Sequence, residues 1–177
     1  MKFIKILSFL LVFGALKTNA QNITSAAIQI NGLTCSMCTQ ATETSLRTLD
    51  FIDQIKVDLN KNQFDVTFKK GQSVNIDLIS AKVEDAGFSV GNLAANFVFK
   101  NAEVDEKGQL ITDGKVYRFE NLKSKKLNGE VTAKVIDKNF LSPANFKKKA
   151  KQVKSDAYVT GSGMVNGKKT RVYHLSI

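Results

Sequence analysis

Two cysteines, Cys35 and Cys38, enclose Ser36-Met37, and theirs are the residue types and spacing best suited to chemistry in this 177-residue chain. Thiolate sulfur is the soft ligand that Cu(I) prefers, and a Cys-x-x-Cys pair at a loop-to-helix junction can aim both sulfurs at one ion. The same pair could instead form a disulfide, which in an oxidising compartment would close a very short loop and add about 2 kcal/mol at most. A thiol–disulfide catalytic site would bring a Trp beside the first Cys and a cis-Pro facing the pair. The chain has no Trp, and its single proline, Pro143, is far away in sequence. The thioether of Met37 is a conceivable third soft ligand but more often points away from such an ion. His174, the only histidine, reads as a partly buried or surface imidazole in a strand. The chain lacks a paired-carboxylate constellation, a Gly-rich phosphate loop and a Ser/His/Asp arrangement, and Gly161-Ser162-Gly163 has no basic or helical context for a phosphate. An enzyme is not expected.

The elements around the cysteines read as follows. Ala26, Ile28 and Ile30 alternate with Ala27 and Gln29 as a half-buried strand does, ending at Asn31-Gly32, and the cysteine loop follows directly. From Cys38 to Leu49 there is no Gly or Pro, and Thr42, Leu46 and Leu49 fall at helical spacing. Cys38 is then expected in a first helical turn, where the helix dipole favours an anion by about 0.3–1 kcal/mol. That is under one pKa unit, so coordination itself must complete deprotonation, and binding should release protons and weaken in acid. Cys35, in the loop, is expected to be the more exposed thiol. Ile55, Val57 and Leu59, then Phe64, Val66 and Phe68, alternate on either side of the turn-like Asn60-Lys61-Asn62-Gln63, as a hairpin does. Ile76, Ile79, Val83 and Ala86 repeat at helical spacing and stop at Gly87, and Phe88 to Val90 supplies a last strand. Strand, helix, strand, strand, helix, strand within about seventy residues is the split βαβ order of ferredoxin-like folds.

Gly32-Leu33-Thr34-Cys35-Ser36-Met37-Cys38 resembles the Gly-Met-Thr-Cys-x-x-Cys loop of heavy-metal-associated domains, found in copper chaperones, copper-transporting P-type ATPases and periplasmic mercury-binding proteins. The resemblance extends to Glu43 and Leu46 and to Glu84-Asp85-Ala86-Gly87-Phe88, and spans about residues 23 to 92. It implies Cys35 and Cys38 as metal ligands, Cu(I), with Ag(I) or Hg(II) as other soft ions, as cargo, and a metal-exchanging protein partner. Leu33 stands where the family usually has Met, and Phe51 where a Gly often opens the second strand. Since that Met packs under the site, Leu33 is a volume-conserving change worth under about 1.5 kcal/mol. Thr34 stands where zinc-handling relatives often place an Asp.

Charge divides the chain. Residues 21–94 carry 6 Lys/Arg against 8 Asp/Glu, and residues 95–177 carry 17 against 8. The expected organisation is therefore a signal peptide over 1–20, a ferredoxin-like domain over 21–94 and a basic β-rich domain over 95–177. Lys2 and Lys5, the apolar run Ile6–Leu16 and the small residues before Gln21 form the leader, with cleavage after Ala20. That run is too short to span a membrane. An exported chain, periplasmic or secreted, with no transmembrane span once mature, follows, and a nucleic-acid partner is not expected. In the second half, turn signals at Lys107-Gly108, Asp113-Gly114 and Asn166-Gly167 separate β-rich runs, with a hairpin from Ala157–Val165 to Lys168–Ile177. One helix, capped by Ser142 and opened by Pro143, carries an apolar stripe of Phe146, Ala150 and Val153. The fold class expected is thus α+β, with a small antiparallel β domain of OB-barrel type following the first domain. Lys147, Lys148, Lys149, Lys151 and Lys154 crowd that helix as a solvated face or a surface for an anionic partner. The competing class of function is an adaptor that acts through this basic domain, with the cysteines a metal-dependent docking contact or a disulfide.

Overall fold

The computed structural model describes residues 22–177 except 113, 154 and 166. The signal peptide and its cleavage point, the turn residues Asp113 and Asn166, and Lys154 lie outside the described residues. The first half follows the expected order: β1 (Asn22–Asn31), α1 (Ser36–Arg47), β2 (Ile52–Asp58), β3 (Gln63–Phe68), α2 (Ile76–Asp85) and β4 (Ser89–Val104). β1 pairs antiparallel with β3 on one side and β4 on the other, so it lies at the centre of a β2-β3-β1-β4 sheet. Ile28, Phe64 and Val66 face the core at 1% exposure or less, where period-two alternation puts them. The helices turn Leu46, Ile79 and Val83 onto the same core. Asn75 caps α2 by accepting a hydrogen bond from the Asp77 N–H at 3.0 Å. At the other end the Gly87 N–H donates to Glu84 O and the Phe88 N–H to Val83 O, a complete Schellman closure that needs the positive φ of Gly87, 87°.

β4 is far longer than the expected Phe88–Val90 strand. Leu93, Ala95, Phe97 and Phe99 keep alternating inward, and the strand passes without interruption through position 94/95, where a domain boundary is expected. β5 (Gln109–Thr112), β6 (Lys115–Phe119), β7 (Lys125–Val135), β8 (Ser162–Val165) and β9 (Lys168–Ser176) then extend the same sheet. The path is β2-β3-β1-β4-β7-β9-β6-β5, with β8 paired to β9.

The second half departs from expectation in two respects. It is not purely antiparallel, because β6 and β9 pair in parallel from Val116↔Val172 to Phe119↔Leu175. The long stretch between them, holding β7 and the helices, provides the crossover that a parallel pair requires. It also carries more than one helix. The expected helix is α3 (Pro143–Val153), with the Ser142 hydroxyl accepting from the Asn145 N–H at 3.4 Å. A 3-10 turn (Lys138–Phe140) and a short α4 (Asp156–Thr160) accompany it. Residues 157–160 are therefore helical rather than part of the expected strand, because the turn buries Tyr158, whose hydroxyl donates to Ile136 O.

One apolar cluster runs through both halves. Phe97 of β4 meets Tyr117 of β6 edge-on at 5.9 Å, and the fully buried Phe140 belongs to the cluster that holds Ile79 of α2. Polar ties add to it: Ser80 donates to Asn139 O at 3.4 Å and Lys115 to Val74 O at 2.9 Å.

Candidate metal centre

The site is built where β1 stops. Gly32 has φ of 89°, which frees the chain to turn, and a Cβ there would sit 3.5 Å from the Phe88 ring. Leu33, at 8% exposure, packs into the core beneath the loop. Thr34 is exposed, and Cys35 takes the N-cap of α1 with extended dihedrals of −145° and 156°. The helix thus begins at Ser36, two residues earlier than the periodicity suggests. Cys38 consequently lies in the first turn and its N–H donates to Cys35 Sγ at 3.1 Å. The unpaired N–H groups of this turn are what a thiolate would face. Cys35 is the exposed thiol of the two, and Cys38 is half-buried against the core.

The two sulfurs are joined as a disulfide, with the Cα atoms 5.3 Å apart. The loop thus brings both sulfurs to one point, and any metal chemistry requires the reduced pair. The loop carries no charge from Gly32 to Cys38, and Met37, at 78% exposure, projects outward. Thr39 and Thr42 brace the turn from below, their hydroxyls donating to Cys35 O and Cys38 O at 3.3 and 3.0 Å. Neither threonine carries a signal in sequence that marks it as part of the site, although Thr42 falls on the apolar face of the helix. Glu43 pairs with Arg47 at 2.6 Å, one turn along the same helix.

His174 lies elsewhere. At 3% exposure it is buried in β9 with Nδ1 2.8 Å from Asp137 Oδ1. Among the described residues no group of three or more His, Cys, Asp and Glu could hold a metal ion. Asp137 also receives Arg171 at 3.2 Å, and Arg171 grips Asp77 of α2 through Nε and Nη2 at 3.0 and 2.9 Å. The Tyr173 hydroxyl donates to Asp77 at 2.8 Å, under the Arg171 guanidinium stacked 4.3 Å above its ring. Burial pushes the Asp77 carboxyl up, but Arg171 and the Tyr173 hydroxyl outweigh it and hold the group below the usual carboxylate range. Residues 77, 137 and 171 carry no local signal in sequence, since their meeting depends on the sheet topology. Of the α3 lysines, Lys149 is committed to Glu120 at 2.6 Å, whereas Lys147, Lys148 and Lys151 are exposed.

Comparison with known proteins finds relatives of the first half of the chain. The heavy-metal-associated domain is matched over residues 27–89. The copper chaperone CopZ of Bacillus subtilis (strain 168) is 33% identical over 63 residues, which are 36% of this chain and 90% of that protein. CopZ of Staphylococcus haemolyticus (strain JCSC1435) is 32% identical over 63 residues, 36% of this chain and 91% of that one. Among solved structures, the yeast copper transporter domain Ccc2a, determined in apo and Cu(I)-loaded states, is 32% identical, covering 37% of this chain and 88% of its own, with a TM-score of 0.34. Through the segment that carries Cys35 and Cys38, the chain belongs to the heavy-metal-associated domain family.

Proposed function

We propose that the reduced chain binds one Cu(I) ion between Cys35 and Cys38 and passes it to a partner protein through shared thiolate ligands, acting as a carrier and not as a catalyst. The observation that carries this reading is the placement of both cysteine sulfurs together at the start of one helix, Cys35 at the cap and Cys38 in the first turn of α1. The naming of the 32–33% identical relatives as copper chaperones supports it. Exposed Cys35 is the point at which an incoming metal-carrying thiol attacks. Ag(I) and Hg(II) share the preference for two near-linear sulfurs and are alternative cargo, whereas Zn(II) in a structural site takes four ligands and would be half satisfied here.

The reading extends to export by the leader over residues 1–20. The basic half is read as an OB-type barrel of the five strands β4-β7-β9-β6-β5, whose exposed α3 lysines suit an anionic partner. The test of the metal reading is an anaerobic titration of reduced protein against a competing Cu(I) chelator, repeated with Zn(II), with Cys35→Ser and Cys38→Ser, and across pH. One tight Cu(I) per chain, lost in both variants and weakened in acid as the thiols reprotonate, is expected. Tighter zinc than Cu(I) binding, or undiminished Cu(I) affinity in either variant, would refute it.

A further inference from the structure

The face of β6 and β9 opposite Tyr117 and Tyr173 carries Arg118 and His174, directly paired across the two parallel strands. Against that face, between the end of α3 and the turn that leads into β5, lies a cavity of about 410 Å³. It is within the range of about 300–1,000 Å³ typical of small-molecule pockets. His174 lines it, and so do Arg118, Lys107, Lys123, Glu106 and Glu120, with Ile136 and Val153 as apolar wall.

Two observations mark this cavity as a site. The first is an orphaned atom: His174 Nε2 is buried and has no hydrogen-bond partner among the described residues, although its Nδ1 is held 2.8 Å from Asp137 and its ring is set edge-on to Tyr158. A buried polar atom left without a partner is costly, so its persistence calls for something that supplies one. The second is uncommitted charge. Arg118, Lys107 and Lys123 enter no ion pair among the described residues, while Glu120 is already neutralised by Lys149 at 2.6 Å. The remaining balance around the cavity is positive.

We propose that this cavity binds a small organic acid, a carboxylate on an apolar body. The carboxylate is received by Arg118 with Lys107 and Lys123 at the rim, and reaches His174 Nε2 through one ordered water that donates to both, since Nδ1 carries the imidazole proton toward Asp137. The apolar body lies on Ile136 and Val153. A metal ion is the poorer occupant, since the three cations repel it and no cluster of metal ligands is present among the described residues. The site is independent of the cysteine loop and of the copper reading.

A single histidine in the chain makes the test direct, because only one imidazole gives ring-nitrogen resonances. Full-length mature protein is titrated with benzoate and hexanoate, and separately with inorganic phosphate and chloride at matched ionic strength, while the His174 Nε2 shift is followed by NMR. The expected result is a saturable shift with the carboxylates and none with chloride, weakened by about tenfold or more in Arg118→Gln. Arg118 is only partly buried, and an unchanged melting temperature of that variant shows that the loss is not unfolding. No saturable shift with either carboxylate, a shift with phosphate alone, or undiminished binding in Arg118→Gln overturns the proposal.

Discussion

Arg171→Met tests whether the polar junction between α2 and β9 stabilises the protein. Methionine keeps the length and the apolar stem of the side chain and removes only the guanidinium. Asp77, whose side chain is 40% exposed, would recover water in exchange for its two contacts at 3.0 and 2.9 Å. Asp137 cannot, because its side chain is 4% exposed, and it would keep only the His174 ring nitrogen and backbone N–H. Stripping one partner from a buried pair costs about 3–5 kcal/mol. The two surviving partners of Asp137 place this case at the lower end, about 3 kcal/mol including the lost stacking over Tyr173. For a chain of this size that is a fall in melting temperature of about 6–12 °C, readable by calorimetry or urea unfolding. Asp77→Asn is the milder companion, at about 1 kcal/mol near neutral pH, because the carboxylate is substantially exposed and screened by solvent. The pH dependence fixes its sign. The folded pKa of Asp77 is depressed, so its contribution is fully present above the unfolded value of about 3.9 and fades as pH falls through the folded value. The wild-type advantage over Asp77→Asn should therefore shrink in acid. A cost of Arg171→Met below about 0.5 kcal/mol, the size of an ordinary surface change, would refute the assignment of the junction.

Two further outcomes are expected. Of the three tyrosines, burial first, and then the negative charge of Asp137 for Tyr158 and of Asp77 for Tyr173, raise the phenol pKa well above its usual value of about 10. Absorbance titration of the folded protein should show both still protonated at about pH 11, ionising only as the chain unfolds in stronger base; early ionisation of all three would contradict the burial. Intact mass spectrometry of exported protein should give a chain beginning at Gln21, and a start at Met1 or far from Gln21 would count against the leader.

Much of the first half was legible because its signals are local. Alternation in β1 and β3, helical spacing in α2 and the glycine after it each act within a few residues, and the Cys loop sits between two of those elements. The start of α1 is hidden from periodicity because Ser36 and Met37 add nothing to an apolar stripe; the cap is made by the sulfur of Cys35 accepting the Cys38 N–H. The extent of β4 was hidden by Gly91 and Asn92 and by small Ala94 and Ala95, which mute an alternation that burial nevertheless obeys at Leu93, Ala95, Phe97 and Phe99. Residues 157–160 have the β-branched and aromatic character of a strand, yet a tertiary contact decided otherwise: the buried Tyr158 packs on Phe146 and His174 and donates to Ile136 O. The Asp77–Arg171 contact joins residues 94 positions apart, beyond the reach of any pattern read along the chain.

The element that relates these features is α2. Its C-terminal closure places Phe88 against Gly32, at the entrance to the cysteine loop, while its N-terminal turn offers Asp77 to Arg171 and Tyr173 of β9. Ten residues of helix separate the two ends by about 15 Å. That is beyond the Debye length of about 8 Å at physiological ionic strength, so charges at one end of α2 are felt only weakly at the other. What passes along α2 is position. The helix is pinned at one end by a salt bridge and at the other by the Schellman closure, and on its flank the Ser45 hydroxyl donates to Lys82 O at 2.7 Å, tying it to α1. The second half thereby holds the helix whose far end packs beside the cysteine loop.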